Sequence, residues 1–210
     1  MKVISTNIGK PTTFLWNGKE EQTGIFKHPL DEPLFLGKID VLKDTVIDRK
    51  HHAGEHKACY LFSANHYPYW KNLYPELEWD WGMFGENLTI DGLDESQTRI
   101  GDIFKIGNAI VQVSQPREPC YKLGIRFKTQ EIVKRFINHG HPGTYVRILE
   151  EGTTAKGDAV KLIQKSENPL TIKQFYELLY TKKKSLEIVQ LAITNFSLPE
   201  YKRKRLEKYL

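Results

Sequence analysis

The first part of the chain carries short apolar runs interrupted by glycine and proline, a pattern typical of strands. Such runs cover residues 2–6, 12–16, 24–26 and 34–42. Asn17 and Gly18 separate two of the runs and tolerate positive φ, so they predict a hairpin turn. Further apolar or alternating runs cover residues 58–62, 88–90, 99–107, 109–114, 144–149 and 159–163. Residues 1–163 are therefore expected to form a body rich in β-structure.

Two segments of this body show the three- and four-residue spacing of apolar positions that indicates a helix. The first begins at Ser63 or Asn65, and Pro68 favours the later start. Its aromatic stripe comprises His66, Tyr67, Trp70 and Tyr74. The second covers residues 129–139 and ends at Gly140.

Beyond Ile163 the apolar period changes from two residues to 3.6, which marks the clearest domain boundary. The net charge of +5 lies wholly beyond it, because residues 165–210 hold 10 Lys/Arg and 5 Glu while the rest holds 21 charges of each sign. Such a cationic region could meet an acidic protein, nucleic acid or a membrane surface. It could also be an ordinary solvated helical face.

Capping signals divide residues 164–210 into three predicted helices. Thr171 and Gln174 form a capping-box pair for the first helix. Ser185 is expected to cap the second, and Ser197 with Glu200 suggests a capping box for a third that ends at Leu210. The inward face of the second helix should comprise Val189, Ala192, Ile193 and Phe196.

Cysteine content bears on the compartment. Two cysteines, Cys59 and Cys120, are too few for a disulfide framework, an all-cysteine zinc site or an iron–sulfur cluster, and they indicate a reducing compartment. The first ten residues lack the apolar core of a signal peptide. The sequence also contains no run of about 18 apolar residues, the length needed to span a membrane. We expect a soluble, cytoplasmic protein.

Cys120 is the candidate for reactive chemistry. It lies in residues 115–124, directly after a predicted strand. Two prolines stiffen this loop and three cations flank the thiol: Pro116, Pro119, Arg117, Lys122 and Arg126. Neighbouring cations favour the thiolate, which attacks electrophiles and binds metal. The alternative is a buried, inert cysteine beside surface cations.

Residues 48–58 concentrate three histidines and three cations in one loop, a composition that suits an anion or a metal. Adjacent histidines in an extended loop point apart, and no second ligand pair at zinc-site spacing follows, so zinc is disfavoured. A phosphate-like ligand fits better, with Arg49, Lys57 and the backbone near Gly54 as donors.

Several ordered segments together resemble a known family. They are residues 52–58, 84–88, 100–102, 115–123 and 145–158. The family is that of the molybdenum cofactor sulfurase C-terminal (MOSC) domain proteins, in particular the bacterial group that protects against N-hydroxylated purines. Residues 164–210 resemble the three-helix module often appended in that group.

The resemblance implies a mainly β fold with helices (α+β), in which a MOSC β-barrel-like domain over residues 1–163 precedes a three-helix module over residues 164–210. It implies binding of molybdopterin-type molybdenum cofactor, with Cys120 as the catalytic thiolate that ligates molybdenum. Phosphate and pterin contacts are expected from Arg49, His52, Gly54, Lys57, Asn87, Gln115 and Arg117.

The implied activity is reduction of small N-hydroxylated bases or related N-oxygenated compounds. Because the chain has no dinucleotide-binding glycine fingerprint and too few cysteines for an iron–sulfur relay, we expect electrons from a separate flavin or iron–sulfur reductase. Residues 165–210 are expected to dock that partner or to cover an apolar flank of the body. Neither nucleic acid nor membrane binding is expected, and nothing in the pattern indicates an oligomeric state.

Two alternative functions remain open. A non-catalytic carrier of the cofactor or of its sulfur would need the same cysteine and the same cradle. A cysteine hydrolase would need a histidine base oriented towards Cys120.

Overall fold

The structure is a computed structural model that describes residues 1–49 and 54–210. In chain order, the strands are β1 (Lys2–Gly9), β2 (Thr12–Trp16), β3 (Lys19–Thr23), β4 (Lys27–Leu30), β5 (Leu34–Leu36), β6 (Cys59–Ser63), β7 (Leu88–Asp91), β8 (Ile103–Ile106), β9 (Ala109–Pro116), β10 (Thr144–Glu150), β11 (Gly152–Thr154) and β12 (Val160–Gln164). The helices are α1 (Tyr67–Leu73), α2 (Tyr121–Arg126), α3 (Glu131–His139), α4 (Ile172–Tyr180), α5 (Leu186–Ile193) and α6 (Glu200–Leu206). Short 3₁₀ turns lie at Glu55–Lys57, Ala64–His66 and Glu207–Tyr209.

The framework is an eight-stranded mixed sheet in the order β12-β8-β9-β10-β6-β7-β1-β4. All neighbours are antiparallel except β6 and β7, which run parallel. Strands β5 and β11 form a separate pair, and β2 and β3 form a hairpin. The expected α+β class is confirmed.

The expected barrel is not closed in the described part of the chain, because β12 and β4 remain the two edges of the sheet. The sheet nevertheless curls, since the Val160 N–H donates to Met1 O at 3.0 Å and the Val3 N–H donates to Asp158 O at 2.9 Å. The β4 edge includes Pro29, which lacks an N–H and is tolerated in an edge strand.

Most predicted strands are confirmed, and the hairpin turn has φ of 49° at Asn17 and 76° at Gly18. Two predictions near the N-terminus are wrong in their bounds. Residues 24–26 form no strand, because the Ile25 N–H donates to the Thr23 hydroxyl at 3.1 Å and the Lys27 N–H donates to Ile25 O at 2.9 Å, so these groups bond locally. The run 34–42 is a strand only over Leu34–Leu36, since the Gly37 N–H then closes a turn onto Asp40 O at 3.0 Å.

Two apolar clusters support the sheet. One joins sheet residues such as Val111 with helix residues such as Phe175 and Val189, so residues 170–206 pack into the same core as the β-body. The other is aromatic and centres on Trp70 and Phe136. Within residues 1–49 and 54–210, no helix has both the length and the apolar character to cross a membrane.

The caps of the last three helices differ in part from expectation. The Thr171 capping box and the Ser185 cap are present. Phe196 is 78% exposed, because α5 ends at Ile193 and the helical period no longer applies. The capping box predicted at Ser197 is absent, and Pro199 precedes the helix with no side-chain cap.

This difference between the two predicted capping boxes can be measured. The Thr171 hydroxyl accepts the Gln174 N–H at 3.2 Å, so Thr171→Ala should lower the free energy of unfolding by about 0.5–2 kcal/mol. Ser197→Ala is the matched control and should change it by less than about 0.5 kcal/mol. Urea unfolding followed by circular dichroism measures both. Equal losses would show that the Thr171 cap carries no particular stability.

Candidate functional site

An open cleft with about 700 Å³ of empty volume, its mouth included, lies beside the end of β9. Its walls come from the connection between β3 and β4, the loop 44–48, the start of β6, the loop before β7 and the loop after β9. Cys120 lies in this last loop and is among the lining residues. The cleft therefore contains the residue expected to be reactive.

Cys120 is positioned by the change from strand to helix. β9 ends at Pro116, and Cys120 has extended backbone directly before α2. Its carbonyl oxygen accepts the Leu123 N–H at 2.9 Å, and its side chain is only partly buried. Cys59, by contrast, is fully buried in β6, and burial raises the pKa of its thiol. Of the two cysteines, Cys120 is the accessible one.

Arg117 enters the cleft from the same loop and is 6% exposed. Its guanidinium carbon lies 5.6 Å from the ring centre of Tyr60 and 5.2 Å from that of Phe136. One terminal nitrogen, Nη1, has no hydrogen-bond partner among the described residues. A buried, unsatisfied cationic donor is unfavourable in isolation, so this atom is suited to an acceptor supplied by a ligand.

The cleft has a cationic balance. Its charged lining residues are Lys27, Asp44, Asp48, Lys57, Arg117 and Lys122, which makes four cations against two carboxylates. Burial lowers the pKa of Lys57, Lys202 adds to this effect, and Glu118, Asp48 and Cys120 oppose it. A cleft of this sign favours an anionic ligand.

Tyr145 adds a neutral donor to the lining. Burial raises the pKa of Tyr145 to about 12, against the opposing effect of Arg117. The phenol is therefore protonated at neutral pH and offers an O–H rather than a charge.

The floor of the cleft is a buried polar network around Asp44. Its carboxylate pairs with the Lys27 ammonium, accepts the Asn87 amide N–H at 2.9 Å and accepts the Gly9 backbone N–H at 2.8 Å. The Asn87 side-chain oxygen in turn accepts the Tyr60 N–H at 3.2 Å. Asn87, which was expected to contact pterin, thus lines the cleft with both ends of its amide engaged by the protein.

Glu86, a residue that sequence reasoning did not single out, shapes the loop before β7. Its carboxylate is fully buried and accepts backbone N–H groups from Gly82 at 3.0 Å and Phe84 at 3.1 Å. It also accepts the hydroxyls of Tyr67 and Thr89. Burial raises the pKa of Glu86, and the hydrogen bond from Tyr67 opposes that effect. The only sequence signal was an acidic residue directly after Gly85.

Comparison with known proteins identifies the family. A model of the MOSC domain matches residues 48–161. The chain belongs to the MOSC domain family. The match includes Cys120, Arg117 and Asn87, whereas Lys27, Asp44 and all three C-terminal helices of this MOSC protein lie outside it.

Three curated relatives support the assignment. Protein YflK of Bacillus subtilis is 35% identical over 198 residues, covering 94% of this chain and 89% of that protein. YiiM of Escherichia coli is 34% identical over 145 residues, or 68% of this chain and 65% of that protein. A Gibberella moniliformis protein named "Reductase" is 32% identical over 188 residues, or 86% of this chain and 33% of that protein.

Solved structures of two YiiM proteins have a similar fold. YiiM from Geobacillus stearothermophilus superimposes with a TM-score of 0.82 at 29% identity, over 99% of this chain and 97% of that one. YiiM from Escherichia coli gives a TM-score of 0.76 at 26% identity, over 99% and 92% of the two chains.

Three residues that were expected to bind cofactor do not line the cleft of this MOSC protein. Arg49 is exposed and pairs with Asp40 at 3.1 Å. Gly54 is exposed at the start of a 3₁₀ turn with φ of 98°. Gln115 is buried and its side-chain amide donates to His56 O at 3.2 Å, so it supports the loop 54–58. His52, another residue that was expected to bind cofactor, lies outside the described residues.

No histidine lines the cleft among residues 1–49 and 54–210. The described lining therefore offers Cys120 no imidazole base, which a cysteine hydrolase would need.

The last C-terminal helix contacts the loop that carries Cys120. Sequence reasoning did not predict this contact. Lys202 of α6, 6% exposed at its side chain, forms an ion pair with Glu118, which is 46% exposed. Glu118 lies between Arg117 and Cys120, so the last helix supports the loop that carries the thiol. Lys202 stands in a run of four cations, and nothing in that run distinguishes the buried one.

Removing this contact should loosen the loop. Lys202→Met leaves Glu118 without its partner, and a pair with one half-exposed member contributes no more than about 1 kcal/mol. Amide hydrogen exchange in a peptide spanning residues 117–124 should then accelerate by up to about fivefold. Mass spectrometry measures this rate.

Lys204→Met is the matched control, because Lys204 is exposed and pairs with Glu200 within α6. Its exchange rate over residues 117–124 should equal that of the wild type. Equal rates in all three proteins would mean that α6 does not hold the cysteine loop.

Proposed function

We propose that the cleft binds molybdopterin-type molybdenum cofactor with Cys120 as a ligand of molybdenum. The protein then reduces N-hydroxylated bases or related N-oxygenated compounds. One observation carries the proposal most strongly: the accessible thiol of Cys120 and Arg117, a buried cation with one unpartnered nitrogen, line a single cationic cleft. Membership of the MOSC domain family, a domain type named for molybdenum cofactor sulfurase, supports the choice of ligand.

The residues fit the chemistry of this cofactor. A cysteine thiolate is a soft donor suited to a metal that is already bound by sulfur. Arg117, Lys57 and Lys122 supply cationic donors for a phosphate, and the planar guanidinium of Arg117 can bind two oxygens at once. The rings of Tyr60 and Tyr145 lie in the same lining and offer flat surfaces for a pterin.

The bound cofactor would supply two-electron chemistry. Reduction of an N–OH group consumes two electrons and two protons, breaks the N–O bond, and yields N–H and water. The chain's own part is to hold the metal through Cys120, to neutralise phosphate through Arg117, and to offer the Tyr145 hydroxyl as a neutral hydrogen-bond donor.

The electrons would come from a separate flavin or iron–sulfur protein, since the two cysteines of this chain cannot hold a cluster. The relative named "Reductase" supports a reductive activity, although this chain spans only 33% of it.

Cys120→Ser tests the metal ligand. We expect loss of molybdenum and of turnover with a retained fold, because the oxygen donor is harder than sulfur and the residue lies on a loop. Cys59→Ala is the matched control and should keep both, with some loss of stability because Cys59 is fully buried.

The measurements are elemental analysis of protein from a cofactor-producing host and turnover of an N-hydroxylated purine with an artificial electron donor. Wild-type molybdenum content in Cys120→Ser would refute the ligand assignment. A wild-type protein that holds molybdenum but shows no turnover would instead be a carrier.

Arg117→Ala tests the phosphate contact. Loss of a charge-assisted hydrogen bond should weaken cofactor binding by about 1.5–3 kcal/mol, or about 10- to 150-fold. Cofactor occupancy after dialysis should fall, with Arg117→Lys intermediate. Arg135→Ala removes a half-exposed arginine that pairs with Glu131 outside the cleft lining, and it should leave occupancy unchanged. Unchanged occupancy in Arg117→Ala with a raised KM would reassign the residue to the substrate.

A further inference from the structure

A second group of ligand-type side chains lies outside the cleft lining. His66 ends the 3₁₀ turn before α1, Glu95 follows β7, and His141 follows α3. One ligand atom from each lies within 4.8 Å of the others. His66 Nε2 is 3.5 Å and His141 Nδ1 is 3.2 Å from the same oxygen, Glu95 Oε2. Two imidazoles and a carboxylate thus converge on one point.

We propose that His66, Glu95 and His141 form a binding site for a divalent transition-metal ion of the zinc type. Two histidines and one carboxylate are an established donor set for such ions, and they leave a further coordination position for water or another ligand. The site is independent of the cofactor proposed for the cleft.

The carboxylate is held in place by an outer contact. Glu95 Oε1 accepts the Gly143 backbone N–H at 3.0 Å, which orients the group and leaves Oε2 towards the two imidazoles. Glu95 is 1% exposed, and a carboxylate buried this deeply needs a positive or hydrogen-bonding partner. Both histidines are partly exposed, so an ion can reach the site from solvent.

A third imidazole borders the site. His139, the last residue of α3, has its ring centre 5.1 Å from that of His66 and 5.0 Å from that of His141. Its Nε2 is buried and has no hydrogen-bond partner among the described residues. The His139 ring also stacks on Tyr69 at 4.2 Å, so a third imidazole forms one wall beside the three convergent ligands.

Metal binding requires one adjustment. The rings of His66 and His141 stack with their centres 4.0 Å apart, and they would have to part slightly to hold an ion. His141 lies in a loop between α3 and β10 and its side chain is 28% exposed, so it has room on the solvent side for this movement.

The test is metal titration of the full chain after treatment with a chelator. Calorimetry with Zn²⁺ should show one saturable ion per chain, and Co²⁺ should give visible absorption without a thiolate charge-transfer band. His141→Asn should weaken the affinity for Zn²⁺ and the affinity for Co²⁺ by at least about tenfold, which is the lower bound even for loss of an outer-shell partner. His28→Asn, which removes an exposed histidine of β4, is the matched control and should bind as the wild type does.

Glu95→Gln guards against a folding artefact, because it keeps an oxygen for the Gly143 N–H and should show the same loss of affinity. The proposal is overturned by absence of saturable binding in the wild type, or by wild-type affinity in His141→Asn. A cobalt spectrum with a thiolate band that disappears in Cys120→Ser would likewise overturn it, since the ion would then occupy the cleft.

Discussion

The floor of the cleft depends on one buried carboxylate. Asp44 brings together the Lys27 ammonium, the Asn87 amide and the Gly9 N–H, so a single acceptor joins β4, the loop before β7 and the end of β1. In a low-dielectric environment the loss of any one partner leaves the others poorly satisfied. Because Lys27 and Asp44 precede the MOSC match at residues 48–161, the family domain alone does not build this cleft. The N-terminal strands complete it.

The loop that carries the thiol is fixed from several directions, so little ordering remains to be done when a ligand binds. Pro116 and Pro119 limit its backbone. Arg117 packs over Tyr60 and Phe136, and Lys202 of α6 pairs with Glu118. Preorganisation of this kind lowers the entropic cost of binding. The C-terminal helices that supply Lys202 pack into the same core as the sheet, so the support of the loop is part of the fold.

Sequence reasoning succeeded where the signal was local. The turn at Asn17, the cap at Thr171 and the position of Cys120 after a strand each depend on a few adjacent residues. It failed where a helix ended early, as at Phe196, and where contacts join distant segments. His66, Glu95 and His141 have no spacing that predicts their meeting, since the sheet and α3 bring them together. The pairing of Glu118 with Lys202 could not be predicted from the sequence either, because the burial of Lys202 follows from tertiary packing.

The contact between Glu118 and Lys202 also has a consequence in time. The two residues are 84 positions apart in the chain. At about 5–20 residues per second, the ribosome needs roughly 4 to 17 s to add the lysine after the glutamate has been made. During this interval the cysteine loop lacks one of its supports. A ligand that requires the ordered loop therefore meets its finished binding surface only after Lys202 has been added, when the strands that precede Glu118 have already been made.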